Sequence, residues 1–438
     1  MSKWDEVEPL HEKQDDVNYD ESKIAPYTLE DPLTFVDGRK LTSPAEWPLR
    51  RREILDIFAK ELYGEEPPPP ECLVTEMFDE KVGALAGFAI RRQYKMWFRQ
   101  DKTGPCLNWI VFLPRYARKP VPVIMFLNYN GNAELVADAD IPLMTSWCRN
   151  TGENKNTDHR MPPHIRGRLQ NIENRTVFPV NMLIARGYAV MSCCYCEISP
   201  DPDPDYMETE PEFRQEVFAY TGVFSLWGQR DESRMDNTTT LGAWAWGLSR
   251  GLDLAGKIDG IDASRPVVTG YSRLGKAAFL AAARDERFQV CVPIQCGGGG
   301  VTLAKRDYGE SIGTEMMMFK HWYCKAYAKY AKNPPRLLTF DQHLLLASIA
   351  PRRVLVEAYN CPWFDMEGEF LACQAASPAW EFLGCQGLPP GEFPEAYDQS
   401  AIGSHLGFIW RTEEHGISAY DWTWLLDFAD KAYKEAKR

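Results

Sequence analysis

Short apolar runs alternate with helical segments along most of this chain, and this alternation limits the possible folds more than any other feature. Continuous apolar strands are typical of sheets with both faces buried, and such sheets are usually parallel. The pattern therefore predicts an α/β fold, a mostly parallel central sheet with helices on both faces. The strand-like runs are PVPVIMFLN, YAVMSCCY, PVVTGY and IAPRRVLVEAY, and helical segments lie within 43–64, 241–257 and 418–438.

One domain is expected for residues 46–438, preceded by a polar segment, 1–45, that wraps the surface. A length of 438 residues allows either one large α/β domain or two smaller ones. No internal repeat and no long flexible linker divides the sequence, which favours a single domain. The acidic, proline-rich stretch at 199–212 is interpreted as a loop within that domain.

The net charge of −13 disfavours nucleic acid as a partner, because an acidic surface repels a phosphate backbone. The sequence has no apolar run long enough to span a membrane, so no membrane association is predicted. The N-terminal residues are polar and lack the apolar centre of a signal peptide. A cytoplasmic location is therefore expected, or a secreted one if the chain has been trimmed.

The 12 cysteines lie mostly in apolar or strand-like segments, where reduced thiols behave as small hydrophobic side chains. Disulfide-rich secreted domains are instead short and place their cysteines in loops. The run Cys-Cys-Tyr-Cys at 193–196 could hold a metal, but no second group of Cys or His completes a tetrahedral set. No bound metal is therefore expected.

A serine stands at a predicted strand-to-helix turn in PVVTGYSRLGKAAFLAAARDERF, residues 266–288. Such a turn exposes the serine hydroxyl and directs the next backbone N–H groups at an oxyanion, as in the nucleophile elbow of α/β-hydrolases. The usual spelling is G-x-S-x-G, whereas Gly270, Ser272 and Gly275 give G-x-S-x-x-G. The local stretch equally fits a serine that only caps a helix.

A hydroxyl nucleophile needs a base, and α/β-hydrolases place a histidine in a loop near the end of the chain. His415 has this placement in WRTEEHGISAYDW, just before the last predicted helix, and His405 is a weaker rival. His321 and His343 have flanks that indicate packed, hydrogen-bonded side chains. The pair Ser272 and His415 is thus the predicted catalytic pair.

Several motifs together resemble the glucuronoyl esterases, carbohydrate esterase family 15. GYSRLGKAA is similar to the family's G-x-S-R-x-G-K signature, and NYNGN resembles its N-x-x-G-N segment. Further segments that are similar and in the same order are AWAWGLSRGLD, CGGGGVTLAKRDYGE, HWYCKAYAKY, FDQHLLLASIAPRRV, WFDMEGEF and HGISAYDW. The similarity covers roughly residues 85–435, and several ordered motifs are far more specific than one.

The resemblance implies a serine-type hydrolase of uronic acid esters, such as 4-O-methyl-glucuronoyl or methyl uronate esters of plant cell-wall carbohydrate. Ser272 would attack the carbonyl, His415 would act as base and then acid, and Arg273 would hold the oxyanion. The substrate-binding residues by this resemblance are Lys276, Glu310, Trp363 and Gln295. No cofactor is implied, because the chemistry needs only side chains, and the expected partner is a small-molecule or oligosaccharide substrate.

The acid of the expected triad is missing from both positions where the family places it. Those positions hold Gln295 and Cys361, neither of which stabilises an imidazolium as a carboxylate does. Another carboxylate could replace it, and Asp365 is the predicted substitute, with Glu367 as a further candidate. An amide, from Gln295 or Asn360, could instead orient His415.

The replaced acid leaves three function classes open. The first is an esterase acting on uronic acid esters. The second is another carbohydrate ester hydrolase that uses the same pair, of the acetyl esterase or pectin methylesterase type. The third is a non-catalytic carbohydrate-binding relative that has lost hydrolysis. The presence of Ser272, Arg273, Lys276 and His415 favours the enzymes, since a decayed site should have lost these too.

Overall fold

The computed structural model describes residues 17–148, 160–171, 174–202, 221–331, 338–413 and 415–435. The strands are β1 (Val74–Ala84), β2 (Ala89–Trp97), β3 (Cys106–Pro114), β4 (Val121–Asn128), β5 (Ala189–Cys194), β6 (Ile261–Tyr271), β7 (Val290–Ile294), β8 (Arg353–Tyr359) and β9 (Leu406–Arg411). The helices are α1 (Trp47–Phe58), α2 (Val180–Arg186), α3 (Tyr195–Ile198), α4 (Thr240–Ala255), α5 (Arg273–Arg284), α6 (Ile312–Met318), α7 (Ala328–Ala331), α8 (Gln342–Ala347), α9 (Met366–Phe382) and α10 (Ala419–Glu435). Most of the acidic stretch predicted as a loop at 199–212 lies outside the described residues.

The strands form one sheet in the order β1-β2-β3-β5-β4-β6-β7-β8-β9. The six neighbouring strands β5, β4, β6, β7, β8 and β9 are all parallel to one another. The strands β1, β2 and β3 extend the sheet with antiparallel pairing, and β3 is antiparallel to β5. The mostly parallel sheet predicted from the apolar runs is therefore confirmed. The edge strand β1 was not predicted, because polar residues interrupt its apolar ones and its sequence lacks a continuous apolar run.

Successive side chains of the central strands enter two separate apolar layers, one on each face of the sheet. In β4, Val123 and Met125 pack in one layer, and Ile124 and Phe126 pack in the other. The first layer is covered by α1, α4, α5, α8 and α9, and the second by α2 and α10. Among the described helices, none is both long and apolar enough to cross a membrane.

Described residues of the N-terminal segment lie against the domain near residues 303–309. The Lys305 ammonium group donates to the Thr28 carbonyl at 3.0 Å and pairs with Glu30 at 2.6 Å. The backbone N–H of Gly309 donates to the Asn18 carbonyl at 2.9 Å. These contacts fasten the segment beside the loop that leads to Glu310.

The parallel strands bring the loops that follow them to one edge of the sheet. Ser272 follows β6, Gln295 follows β7, Asn360 follows β8 and His415 lies beyond β9. Ligands of open α/β sheets bind at this carboxyl edge. The topology therefore gathers the residues that the sequence singled out.

Candidate active site

Ser272 occupies a strained turn between β6 and α5. Its backbone has φ 57° and ψ −134°, a conformation that a residue with a side chain rarely adopts. The turn is held by the Ser272 N–H, which donates to the Ile294 carbonyl at 2.9 Å. The strain turns Ser272 out of both regular elements, as the nucleophile elbow requires.

The two glycines that flank Ser272 allow the strand and helix to approach closely. A Cβ at Gly270 would lie 2.4 Å from the Leu274 carbonyl oxygen. A Cβ at Gly275 would lie 2.8 Å from the Cys296 sulfur and 2.9 Å from the Gly270 oxygen. Both positions therefore exclude any larger residue, which accounts for the spacing G-x-S-x-x-G.

The N-terminus of α5 lies at the same turn. Arg273 is the first residue of α5, so its backbone N–H has no acceptor within the helix. The positive end of the helix dipole favours negative charge at this place. The local backbone is thus suited to hold an oxyanion formed beside Ser272.

The Arg273 side chain is fixed by a buried acid and two aromatic rings. Its guanidinium group pairs with Asp201, whose side chain is fully buried. Although burial opposes the charge, the neighbouring Asp201 carboxylate raises the pKa of Arg273 above its usual value. The guanidinium carbon lies 5.3 Å from the Phe319 ring centre and 5.0 Å from that of Trp322. Arg273 therefore remains charged in a fixed orientation.

Asp201 is in turn held by the segment that contains His321. The His321 ring nitrogen Nε2 and the Trp322 indole N–H each lie 2.8 Å from Asp201 Oδ1. His321 is thus a packed, hydrogen-bonded histidine, as its flanks indicated. The role of Asp201 was not predicted, because it lies in the acidic stretch that was interpreted only as a loop.

His415 lies among three aromatic rings at the same edge of the sheet. Its ring centre is 5.3 Å from that of Tyr359, 5.2 Å from that of Phe364 and 5.7 Å from that of Tyr271. Tyr271 immediately precedes Ser272, so the ring stands next to the strained turn. Among the residues that the structure describes, no hydrogen bond joins Ser272 to His415.

The imidazole is poised in its neutral form. One side of His415 is open to solvent, while the protein packed around the rest of the ring lowers its pKa. The nearby cations Arg273, Lys276 and Arg175 lower it further, and together these effects bring the pKa to about 4. A neutral imidazole can accept a proton, as a general base must.

The first prediction concerns the pH dependence of ester hydrolysis. The base must be neutral, so activity falls as decreasing pH protonates His415. The acidic limb of kcat/KM should have its midpoint near 4 instead of near the ordinary 6.5. Initial rates across a pH series, with circular dichroism at each pH to exclude unfolding, would measure it. A midpoint at or above 6.5 would contradict the burial of the ring and the arrangement of cations around it.

Lys276 and Glu310 form a buried pair one helical turn beyond Ser272. The Lys276 ammonium group lies 3.1 Å from Glu310 Oε2 and also donates to the Gly298 carbonyl. The Glu310 N–H donates to the Trp363 carbonyl at 2.7 Å, which links the pair to the loop after β8. Trp363 itself is only half-buried. The structure therefore brings Lys276, Glu310 and Trp363 together, and their contact with substrate stays a prediction.

Two of the cavities in the described part of the chain lie at opposite edges of the sheet. One of about 400 Å³ borders the active site, where Tyr271 and Arg273 line it together with Glu134, Arg168 and Arg175. The other is larger, about 1480 Å³, and lies between the β1–β2 turn and the start of β4. The predicted site residues do not line the larger cavity. We therefore assign the chemistry to the smaller cavity and the adjoining Ser272 turn.

Asp365 is bonded to other groups in this structure, so its contacts give no support to its predicted role as the replacement acid. Its carboxylate oxygens accept from Arg306 Nε at 2.8 Å and from the Gly368 N–H at 3.0 Å. It therefore caps α9 and neutralises a buried arginine instead of contacting His415. The sequence placed it in the correct loop but could not show which way its carboxylate turns.

Gln295 contacts the backbone beside His415. Its amide N–H donates to the Gly416 carbonyl at 2.7 Å, and its amide oxygen accepts from the Gly416 N–H at 3.3 Å. The side chain is almost completely buried, with an exposed fraction of 1%. The predicted substrate-binding role of Gln295 thus gains no support from its contacts, which are those of a residue that holds the His415 loop.

The sheet and the turn at Ser272 define an α/β-hydrolase fold, and comparison with known proteins narrows the class further. A family model described as fungal glucuronyl esterase matches residues 221–384. The carbohydrate esterase MZ0003, from an unknown prokaryotic organism, is 34% identical over 94% of this chain and 91% of its own. A 4-O-methyl-glucuronoyl methylesterase of Podospora anserina is 25% identical over 91% of this chain and 68% of its own.

Solved structures agree with these relatives. A promiscuous CE15 esterase from a marine bacterial metagenome superimposes with a TM-score of 0.83 at 32% identity, over 95% of this chain and 100% of its own. A glucuronoyl esterase from Solibacter usitatus gives 0.82 at 32% identity, over 94% and 100%. The protein is thus a carboxylic ester hydrolase. It belongs to carbohydrate esterase family 15, the glucuronoyl esterases.

Proposed function

We propose that this enzyme hydrolyses esters of uronic acids, with Ser272 as its nucleophile. The observation that carries the proposal is the strained turn at Ser272, which lies beside a neutral histidine and two fixed cations. The relatives named as glucuronoyl esterases and methylesterases support the choice of acyl group. The buried pair of Lys276 and Glu310 supports it independently, because it offers a donor and an acceptor for sugar hydroxyls.

In the proposed reaction, Ser272 Oγ attacks the ester carbonyl carbon while His415 accepts the hydroxyl proton. The carbonyl oxygen becomes an oxyanion as the C–O bond to Ser272 forms. When the intermediate collapses, the bond to the alcohol breaks and His415 returns the proton to that alcohol. Water then attacks the acyl-enzyme with His415 as base again, releasing the uronic acid and restoring Ser272.

Two donors of Arg273 stabilise the oxyanion in this scheme. The backbone N–H at the start of α5 supplies one, and the guanidinium group held by Asp201 supplies the other. A preorganised donor stabilises the transition state without a further cost of reorientation. The pairing with Asp201 matters here, because it fixes the guanidinium group before the substrate arrives.

The sugar ring would bind beyond Ser272 on the side of Lys276, Glu310 and Trp363. Lys276 donates to ring hydroxyls, and Glu310 accepts from them. The indole of Trp363, which is half-exposed, offers an apolar face for the ring to pack on. The cytoplasmic location expected from the sequence stays a prediction, and cell fractionation would test it.

The second prediction ranks substrates by these contacts. The methyl ester of glucuronic acid should be hydrolysed with a higher kcat/KM than the methyl ester of galacturonic acid or acetylated xylose. The reason is that hydroxyl groups in the wrong place cannot make the proposed contacts with Lys276 and Glu310. Initial rates on the three esters at equal concentration, with each slope corrected for spontaneous hydrolysis, provide the measurement.

A preference for acetylated xylose would identify the enzyme as an acetyl esterase, and a preference for galacturonate as a pectin methylesterase type. Lack of turnover with all three, together with binding of the free sugars in calorimetry, would support a non-catalytic carbohydrate-binding role. Each outcome therefore selects one of the three function classes that the sequence left open.

A further inference from the structure

His415 keeps its orientation without a carboxylate partner among the residues that the structure describes, Glu414 lying outside them. In serine hydrolases an acid on the second ring nitrogen usually holds the base in place. Here the three aromatic rings around His415 limit the tilt of the imidazole. Ring contacts alone do not fix the position of the backbone that carries it, so something else must hold the loop.

The next residue along the chain, Gly416, is held at both of its backbone polar groups. The Gln295 amide bonds the Gly416 carbonyl at 2.7 Å and the Gly416 N–H at 3.3 Å. Arg411 Nη2 donates to the same carbonyl at 2.8 Å. We call Gln295 and Arg411, with these three bonds, the Gly416 clamp.

Both members of the Gly416 clamp are themselves fixed by the ends of neighbouring strands. The Gln295 N–H donates to the Glu357 carbonyl at 2.7 Å, and Gln295 has a left-handed φ of 54°. Arg411 ends β9 and pairs through Nε with Asp421 at 2.7 Å. Asp421 also accepts from the Ser418 N–H at 2.6 Å, so the loop is held on both sides of Gly416.

Packing leaves the clamped loop little room to move. A Cβ at Gly416 would lie 2.3 Å from the Arg175 carbonyl oxygen, so the backbones of the two segments touch. Beside this contact, Val177 N–H donates to the Ile417 carbonyl at 2.7 Å. The loop that carries His415 is therefore confined by segments on both sides.

Glu357 lies beneath the clamp as a buried acid that competes little for Arg411. Both of its carboxylate oxygens lack a hydrogen-bond partner within the described residues. Burial, and then the charge of Asp421, raise the pKa of Glu357 well above its usual range, which disfavours its charged form. Arg411 is left to pair with Asp421 and to donate to Gly416.

We propose that Gln295 and Arg411 are positioning residues that fix His415 through the backbone of Gly416, in place of a carboxylate on its ring. This inference rests on the proposed function, in which His415 is the base. It explains why a glutamine can stand where relatives are expected to have an acid. An amide can both donate to and accept from one peptide backbone, whereas a carboxylate can only accept.

The test replaces Gln295 by methionine, which keeps the side-chain length but removes both bonds. Gln295→Met should lower kcat by about 10–100-fold, because small displacements of a catalytic group are costly. KM should remain within about twofold, because the residue does not contact the substrate. Hydrogen exchange should become faster at the Gly416 N–H, and this readout does not require turnover.

A matched control is Gln374→Met on α9, which removes a similar 2.7 Å bond to the Gly391 carbonyl. It should leave kcat, KM and the exchange rate at the Gly416 N–H unchanged.

Gln295→Glu distinguishes the Gly416 clamp from a site that merely lacks the acid of its triad. In the clamp, a carboxylate would face the Gly416 carbonyl and repel it, so kcat should fall. A rise in kcat would show that the site merely lacks its acid, and it would overturn the proposal. Unchanged exchange at Gly416 in Gln295→Met would overturn it as well. If the wild type hydrolyses no uronate ester, the proposed function fails, while the exchange result still decides whether the clamp exists.

Discussion

Ser272→Ala should reduce hydrolysis of a methyl glucuronate ester by roughly 10⁴-fold or more, leaving at most the residual rate due to binding and the oxyanion site. The change removes the only atom that forms the covalent bond in the proposed scheme. It leaves Arg273, Lys276 and the cavity beside Tyr271 in place, so the variant should still bind the substrate. Steady-state rates measure the loss of hydrolysis, and calorimetry with the uncleaved ester measures the retained binding.

Ser264→Ala is the matched control for this loss. Ser264 lies on the same strand, β6, but it is exposed and bonds to Asp262 at 2.5 Å, at the opposite end from Ser272. Its replacement should leave turnover unchanged. Circular dichroism should show the same fold in both variants. Turnover of Ser272→Ala near the wild-type rate would exclude Ser272 as the nucleophile and leave the assignment of the elbow without support.

His415→Gln should lower kcat at neutral pH by roughly 10³–10⁴-fold. Glutamine occupies a comparable volume among Tyr359, Phe364 and Tyr271, but it cannot accept the hydroxyl proton. The acidic limb with its midpoint near 4 should also vanish from the pH profile of the residual activity. If the acidic limb and most of the turnover are lost together in this variant, both depend on His415.

The double variant of Ser272 and His415 tests whether the two residues act as a unit. Residues that share one step are strongly non-additive, so the double variant should be no slower than the worse of the two single variants. His405→Gln serves as the histidine control, because His405 bonds to Ser404 at 2.8 Å in the turn before β9. An activity loss in His405→Gln as large as in His415→Gln would contradict the choice of base.

The sequence was sufficient for the central part of the fold, because its buried strands carry continuous apolar runs. It was insufficient for β1, in which polar residues interrupt the apolar ones and leave no continuous apolar run to detect. The turn at Ser272 could be located because the glycines at 270 and 275 are required in part by contacts between their own neighbouring backbones. Features set by local sterics and by burial are thus readable from the chain.

The orientation of charged side chains could not be read in the same way. Asp365 was placed in the right loop, yet its partner Arg306 is 59 residues away in sequence and approaches only in the folded chain. Asp201 and Arg411 had no local pattern that marked them, although each fixes a group of the site. Long-range electrostatic partners of this kind depend on how separate loops meet at the sheet edge.

The left-handed backbone at Ser272, Gln295 and Asp365 has an implication for directed evolution of this enzyme. Each such residue carries a conformational strain of about 1–3 kcal/mol, which glycine at the same position would relieve. Selection for heat resistance alone would therefore favour glycine at 272, where the side chain has its proposed catalytic role. Position 295 differs, because glycine there would lose both hydrogen bonds of the Gln295 amide to Gly416. A thermostability screen of this enzyme therefore needs a concurrent activity assay, because otherwise it will select variants that are stable but inactive.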